Sequence, residues 1–140
     1  MATTTYLTNP TLTISIGAGS PVDYTDQCTS LTITSLKESQ DITAFGDSAR
    51  KYTAGLANNE AAVTLFHSFG ASEVEALQAA VGETCTIVSS PESGSASAEN
   101  PIYTLTGCYL ESMPVLNGSV GEMSTVELTF TGGVLTRAVT

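Results

Sequence analysis

Basic residues are scarce in this 140-residue chain. It contains four Lys and Arg against fourteen Asp and Glu, so its formal net charge is -10 at pH 7. Proteins that bind nucleic acids gain affinity by neutralising phosphates with Lys and Arg. The charge balance therefore argues against ordinary nucleic-acid binding.

Long apolar runs are also missing. No segment approaches the roughly 18 apolar residues that a membrane helix requires. The first residues, MATTTYLTNPTLTI, have neither the basic region nor the apolar region of a secretion signal. We expect no membrane span and no signal peptide, and we expect the chain not to be secreted from the compartment in which it is made.

The residues that usually carry catalysis are few and dispersed. The single histidine, His67, alternates in phase with apolar neighbours, which favours a partly buried, hydrogen-bonded strand residue over a catalytic base. No phosphate-binding or dinucleotide-binding motif occurs, and no two carboxylates stand out as an acid/base pair. We expect no enzyme activity, no cofactor and no metal site.

The three cysteines form no C-x-x-C pair, and each falls within a segment with a strand-like pattern. The sequence therefore predicts buried free thiols. The residues are Cys28, Cys85 and Cys108.

The chain is rich in residues that suit a β-sheet. Thr and Ser together exceed a quarter of it, and β-branched Thr fits a pleated, half-wet surface. Alternation of apolar and polar residues predicts six strands and a last one in GVLTRAV. The six are Thr11–Ile16, Cys28–Leu36, Ala61–Phe69, Thr84–Ser90, Ile102–Met113 and Ser124–Gly132. Loops are expected at Ser89–Pro101 and Pro114–Glu122, with a tight turn at Asn117-Gly118.

One segment, SEVEALQAAVG, has the pattern of a short α-helix. Ser72 and Glu75 are spaced as a capping box, and Gly82 supplies a C-terminal stop. Val74, Leu77 and Val81 would form its apolar stripe. Together with the strands, this pattern predicts a single mainly β domain over residues 1–140. The expected fold is a β-sandwich or barrel of about seven strands with the helix packed across it.

The segment DITAFGDSARKY (Asp41–Tyr52) interrupts the strand-like pattern and contains two of the four basic residues, Arg50 and Lys51. From Ile42 onward it belongs to one of four segments whose order resembles the tail-tube (major tail) proteins of long-tailed, siphovirus-like bacteriophages, especially those of actinobacterial hosts. The four segments are ITAFGDSARKYTAGLANNEAAVTLF, EVEALQAAVG, NPIYTLTGCYLESM and VELTFTGGVLTRAV.

The resemblance implies a structural virion protein that assembles into rings of six copies, stacked as a tube through which DNA is ejected into the host. Expected partners are further copies of the chain, a tape-measure protein and a tail terminator. DNA would pass without specific binding. Assembly would take place in the host cytoplasm and the product would lie in the phage tail.

The resemblance also implies that a long loop between two strands reaches a neighbouring subunit or ring. The segment Asp41–Tyr52 lies where that loop would be. We therefore predict an interface loop in which the basic pair meets acids of an adjacent subunit and aromatic residues provide apolar anchors. The candidate residues are Phe45, Asp47, Arg50, Lys51 and Tyr52.

A negatively charged bore would let DNA slide without sticking. In STVELTFT the apolar face is Val126, Leu128 and Phe130, so Glu127 should point away from the core. Glu127 is the first candidate for a lumen-facing acid, and Glu60 and Glu111 are the second. Alternatives to a tail tube are a capsid decoration protein, a head–tail adaptor and, on weaker grounds, a small carbohydrate-binding module.

Overall fold

A computed structural model describes residues 10–70 and 73–140 and shows a mainly β chain with one short helix, as predicted. Each predicted strand is present, with ends shifted by a few residues at most, and three further strands were not predicted. In chain order the strands are β1 (Thr11–Ile16), β2 (Val22–Asp23), β3 (Cys28–Thr34), β4 (Lys37–Asp41), β5 (Tyr52–Ala57), β6 (Glu60–Phe66), β7 (Thr84–Ser90), β8 (Ile102–Leu110), β9 (Thr125–Thr131) and β10 (Val134–Ala138).

Eight of these strands form one sheet that folds over on itself. Its order is β2-β1-β7-β8-β9-β6-β3, and β10 also pairs with β8. Strands β8 and β9 share only two residue pairs, Tyr109 with Thr131 and Leu110 with Phe130, whereas β9 pairs with β6 along its full length. One layer is therefore β2-β1-β7-β8-β10, and the facing layer is β3-β6-β9.

Two glycines let the chain pass from one layer to the other between β9 and β10. Gly132 and Gly133 have φ angles of 78° and 90°, which L-residues with a side chain rarely adopt. A Cβ on Gly133 would lie 2.6 Å from the carbonyl oxygen of Thr106. The chain therefore leaves β6 after β9 and continues along β8 as β10.

The core lies between the two layers and follows the predicted alternation. In β9 every second residue is buried, and these are Val126, Leu128 and Phe130 as expected. They pack with apolar residues of β1, β6, β7 and β8 in one hydrophobic cluster. The large side chains in that cluster with almost no exposed surface include Leu12, Ile14, Leu65, Ile87, Leu105 and Leu110.

The predicted helix is present as a 3₁₀ helix, Val74–Ala80, and its buried residues are Val74, Leu77 and Ala80. Three residues per turn bring Ala80 onto the buried side, whereas an α-helix would have placed Val81 there. The expectation for Val81 is therefore wrong, and its side chain is exposed. No helix in residues 10–70 and 73–140 is long and apolar enough to cross a membrane.

The predicted capping residue Ser72 lies outside the described residues. Ser68 provides acceptors at the start of the helix: its hydroxyl oxygen accepts from the Val74 amide at 3.2 Å, and its carbonyl oxygen accepts from the Glu75 amide at 2.9 Å. The N-cap position is Glu73, which makes no side-chain capping bond to the helix. At the other end Gly82 has a φ of 84°, consistent with the predicted stop.

All three cysteines are free, as predicted. Cys85 and Cys108 face each other across β7 and β8 and are buried, and the Cys108 thiol donates to the Cys85 carbonyl oxygen at 3.2 Å. Burial raises the pKa of Cys108 to about 11 and also raises the pKa of Cys85. Cys28 is only half-buried, so the prediction of a buried thiol is wrong for that residue.

Candidate subunit interface

The segment predicted as an interface loop is part of a β-hairpin. Strands β4 and β5 pair with each other as a separate two-stranded sheet, with Asp41 opposite Tyr52. Residues 42–51 of the predicted segment are a loop, whereas its two end residues, Asp41 and Tyr52, belong to strands. We call residues 37–57 the hairpin and residues 42–51 its tip.

A buried asparagine holds the base of the hairpin to the body. Asn59 is 4% exposed and lies directly before β6. Its side-chain oxygen accepts from the Leu36 amide at 3.3 Å, and its side-chain nitrogen donates to the Gly133 carbonyl oxygen at 3.1 Å. The Asn59 carbonyl oxygen also accepts from the Gly132 amide at 2.8 Å. The base of the hairpin is thus tied to the turn between β9 and β10.

The basic pair at the tip already has acidic partners within the hairpin. Arg50 and Asp41 form an ion pair at 2.7 Å, and Lys51 and Asp47 form another at 2.7 Å. Both basic side chains remain more than half exposed. The predicted contact of this pair with acids of an adjacent subunit stays a prediction, and the pair would have to share or exchange its partners to make it.

The same two carboxylates also organise the backbone of the tip. Asp41 accepts from the Thr43 amide at 2.9 Å, and its pKa is lowered mainly by the Thr43 side chain, then by this amide and by Arg50. Asp47 accepts from the Ala44 amide at 2.8 Å, and its pKa is lowered mainly by Lys51 and then by this amide. The tip is therefore held by polar contacts alone.

Large apolar side chains on the hairpin are uncovered. Phe45 is fully exposed at the tip, and Leu56 on β5 is 84% exposed. Two further residues, Ile42 and Tyr52, are more than half exposed. We call these four residues the hairpin patch. An uncovered apolar group of this kind marks an interaction surface more often than a plain solvated loop.

Charge is distributed unevenly between the hairpin and the rest of the chain. The hairpin contains three bases, Lys37, Arg50 and Lys51, and three acids, Glu38, Asp41 and Asp47, so its formal charge is zero. The whole net charge of -10 therefore lies outside it, where Arg137 is the one remaining base. The hairpin is the part of the chain best suited to approach another acidic copy.

A second uncovered apolar group lies in the connection between β8 and β9, which the sequence predicted only as a loop, together with Phe69 just after β6. We call Phe69, Leu116, Val120 and Met123 the loop patch, and each is more than half exposed. The signal that could have revealed it was the presence of Leu116, Val120 and Met123 in the otherwise polar segment PVLNGSVGEM. The predicted tight turn at Asn117-Gly118 is wrong, because the turn closes between Ser119 and Glu122 instead.

The loop patch is anchored to the end of β6 through the only histidine. The Nε2 atom of His67 lies 2.9 Å from the Val115 carbonyl oxygen, and its ring stacks on Phe69 at 4.4 Å. The His67 amide donates to the Ser124 carbonyl oxygen at 2.8 Å. The prediction of a partly buried, hydrogen-bonded histidine is confirmed, although β6 ends one residue before it.

Two of the three predicted lumen acids share one face. Glu127 on β9 and Glu60 on β6 point away from the core on the outer face of the β3-β6-β9 layer. The residues between them on this face are small and uncharged, and they include Ala62, Thr64 and Thr129. Glu111 is exposed but lies just after β8, outside that layer.

A groove of about 550 Å³ opens between the ends of β1 and β7 and strand β3. Uncharged residues line it, and one of them, Tyr103, is aromatic. A carbohydrate-binding groove typically presents several aromatic faces to its sugar, so this lining gives no support to that alternative.

No protein-family model and no curated protein sequence matches this chain. Solved structures match it in fold. The SPP1 tail tube has a TM-score of 0.74 at 11% identity, covering 94% of this chain and 77% of that one.

Two further structures extend the comparison. A chain from the tail of an empty gene transfer agent particle, refined helically with C6 symmetry, has a TM-score of 0.68 at 16% identity, covering 90% of this chain and 92% of that one. A chain of the anti-feeding prophage baseplate, 6-fold symmetrised, has a TM-score of 0.62 at 12% identity and 99% coverage of both chains. The chain therefore has the fold of phage tail-tube proteins.

Proposed function

We propose that this chain is the tail-tube subunit of a long-tailed, siphovirus-like phage. Six copies form a ring, the rings stack into a tube, and DNA passes through the tube into the host. The observation that carries the proposal is the fold, which agrees with those of the SPP1 tail tube and the gene transfer agent tail over at least nine-tenths of this chain.

Two features of the chain favour assembly into an oligomer over a monomer. The hairpin patch and the loop patch leave eight large apolar side chains exposed, and large exposed apolar patches are rare on monomeric proteins. The sheet also ends in exposed strands, and joining neighbouring sheets around a ring removes such edges. The tube would add the tape-measure protein inside and the terminator at its end.

The lumen is assigned to the outer face of the β3-β6-β9 layer, which carries Glu60 and Glu127. Acids there would repel phosphates within the roughly 8–10 Å over which salt allows charges to act. Small side chains around them would leave the bore smooth. Glu111 would lie outside this face and contribute less.

The first test is negative-stain electron microscopy of the purified chain over a concentration series. Hollow tubes or stacked six-fold rings are expected as concentration rises. A trimer, or a single ring that never stacks at any concentration or with added tail initiator proteins, would contradict the proposal and favour a decoration or adaptor protein.

The lumen assignment has its own test, Glu127→Lys. Tubes should form normally, whereas DNA ejection from particles that carry the variant should slow, because Lys inside the bore binds phosphates. Glu92→Lys, in the exposed segment after β7, makes the same charge change away from this face and should eject DNA at the normal rate. A tube reconstruction with Glu127 on the outer wall would refute the assignment.

A further inference from the structure

The hairpin patch and the loop patch lie at opposite ends of one layer of strands. The hairpin leaves the body between Thr34 at the end of β3 and Glu60 at the start of β6. The loop patch lies beyond Phe66, at the other end of β6, where β9 begins. Seven residues of strand separate the two ends by about 20 Å. The two patches therefore start from opposite ends of the layer, and neither covers the other in the single copy, where both stay exposed.

The two ends differ in charge. The hairpin carries three of the chain's four bases, Lys37, Arg50 and Lys51, which its own three acids balance, so it meets less repulsion at an acidic surface than any other part of the chain. The end with the loop patch is built from residues 24–28, 66–70, 73–75 and 114–125, which hydrogen bonds tie together through Gln27, His67 and Ser124. These segments contain four acids and no Lys or Arg. The acids are Asp26, Glu73, Glu75 and Glu122.

We propose that the loop patch is the docking surface for the hairpin patch of a second copy of this chain. Phe45 and Leu56 of one copy pack against Leu116 and Val120 of the next, and the bases of the hairpin face the acids beside the loop patch. The inference rests on the proposed function, in which it assigns the contact that stacks one ring on the next.

The alternative pairings of the same patches are unfavourable. Two loop patches facing each other would bring four acids against four acids. Two hairpin patches facing each other would bury apolar side chains but leave both loop patches uncovered. A contact between unlike ends satisfies both patches in every copy except those at the ends of the stack. Because its two surfaces differ and lie at opposite ends of the layer, such a contact repeats from copy to copy and builds a filament when the rotation between copies does not close.

Two variants that each lose one end provide the test. The hairpin-blocked variant carries Phe45→Glu and Leu56→Glu, and the loop-blocked variant carries Leu116→Glu and Val120→Glu. All four side chains are more than four-fifths exposed, so both variants should fold, which circular dichroism verifies. A charge-matched control carries Ser95→Glu and Ala98→Glu in the exposed segment between β7 and β8.

Sedimentation velocity and negative-stain microscopy then compare the variants singly and mixed. Neither blocked variant should stack alone, because each lacks one of the two surfaces. Mixed, they retain one working contact, the hairpin of the loop-blocked variant on the loop patch of the hairpin-blocked variant. The mixture should therefore give stacks of two layers that grow no further. The control variant, which carries both Ser95→Glu and Ala98→Glu, should stack like the unmodified chain.

Three results would overturn the inference: normal tubes from the loop-blocked variant, no new complex in the mixture, or loss of stacking in the control. The same experiments test the proposed tail-tube function separately from the docking contact. If the unmodified chain forms neither rings nor tubes but the two variants still pair one to one, the docking contact stands and the tail-tube function fails. If the unmodified chain forms tubes while the mixture stays unpaired, the function stands and the docking contact fails.

Discussion

The body of the molecule and its hairpin use the same antiparallel pairing but are stabilised differently. In β9 the side chains alternate strictly between buried and exposed, and every buried one packs in the core. In β4 and β5 no residue is buried, and only Gly55 is partly covered. A two-stranded hairpin without a buried face is marginal in water. The hairpin is held instead by polar contacts at its base and its tip.

The body buries its apolar residues, whereas the hairpin leaves its large apolar residues exposed. In the body they are withdrawn from water, and their burial stabilises the fold. In the hairpin Phe45 and Leu56 contribute almost nothing to the fold of a single copy, because they contact mainly solvent. Such residues add stability only when another surface covers them, as happens at an interface between subunits.

The largest difference is expected between two Phe→Ala substitutions, one in each region. Phe130→Ala removes a fully buried ring from the core and should lower the free energy of unfolding by about 3–5 kcal/mol. Phe45→Ala removes a fully exposed ring and should change it by less than about 0.5 kcal/mol. Urea denaturation of the unassembled chain measures both. Comparable losses for the two variants would mean that the hairpin is packed against the body.

A smaller effect is expected at the base of the hairpin, at Asn59. Asn59→Ala leaves the Leu36 amide and the Gly133 carbonyl without their partners and should cost about 1–3 kcal/mol. It should also speed hydrogen exchange of the β4 and β5 amides more than that of β9. Asn58→Ala is the matched control, because Asn58 is exposed and contributes only its backbone amide, which Ala retains. Equal exchange in the two variants would contradict this anchoring role.

The parts of the structure that could be predicted from sequence are those that bury an apolar face. TVELTFT alternates because one side of β9 meets the core, so its strand and its buried residues follow directly from the pattern. KESQD in β4 has no apolar residue, and its strand exists only through cross-strand bonds to β5. The alternation of apolar and polar residues therefore cannot predict a strand of this kind.

The candidate interface was predicted only in part for a related reason. Phe45, Arg50 and Tyr52 stood out because aromatic and basic residues are scarce in this chain. That they lie opposite the loop patch depends on the pairing of β6 with β9, a long-range feature. The choice between Ala80 and Val81 as the buried helix residue likewise depended on a 3₁₀ rather than an α repeat, which packing on the sheet decides.

The smallest effect concerns pH and is confined to the tip of the hairpin. The pKa values of Asp41 and Asp47 are lowered in the folded chain, so their contacts are fully formed above the ordinary aspartate pKa of about 3.9. These contacts are lost as the pH falls through the lowered values, and no change is expected between neutral pH and about pH 5.

The amide protons of Thr43 and Ala44 report the two carboxylates separately, since each donates to one of them. In an NMR titration both should shift with midpoints below about 3.9, while core amides of β9 do not move over the same range. Asp47→Asn should abolish the Ala44 transition and preserve that of Thr43. A midpoint at or above the ordinary value would mean that the tip contacts do not persist in solution, and the hairpin would then reach its partner as a loose segment rather than as a preformed surface.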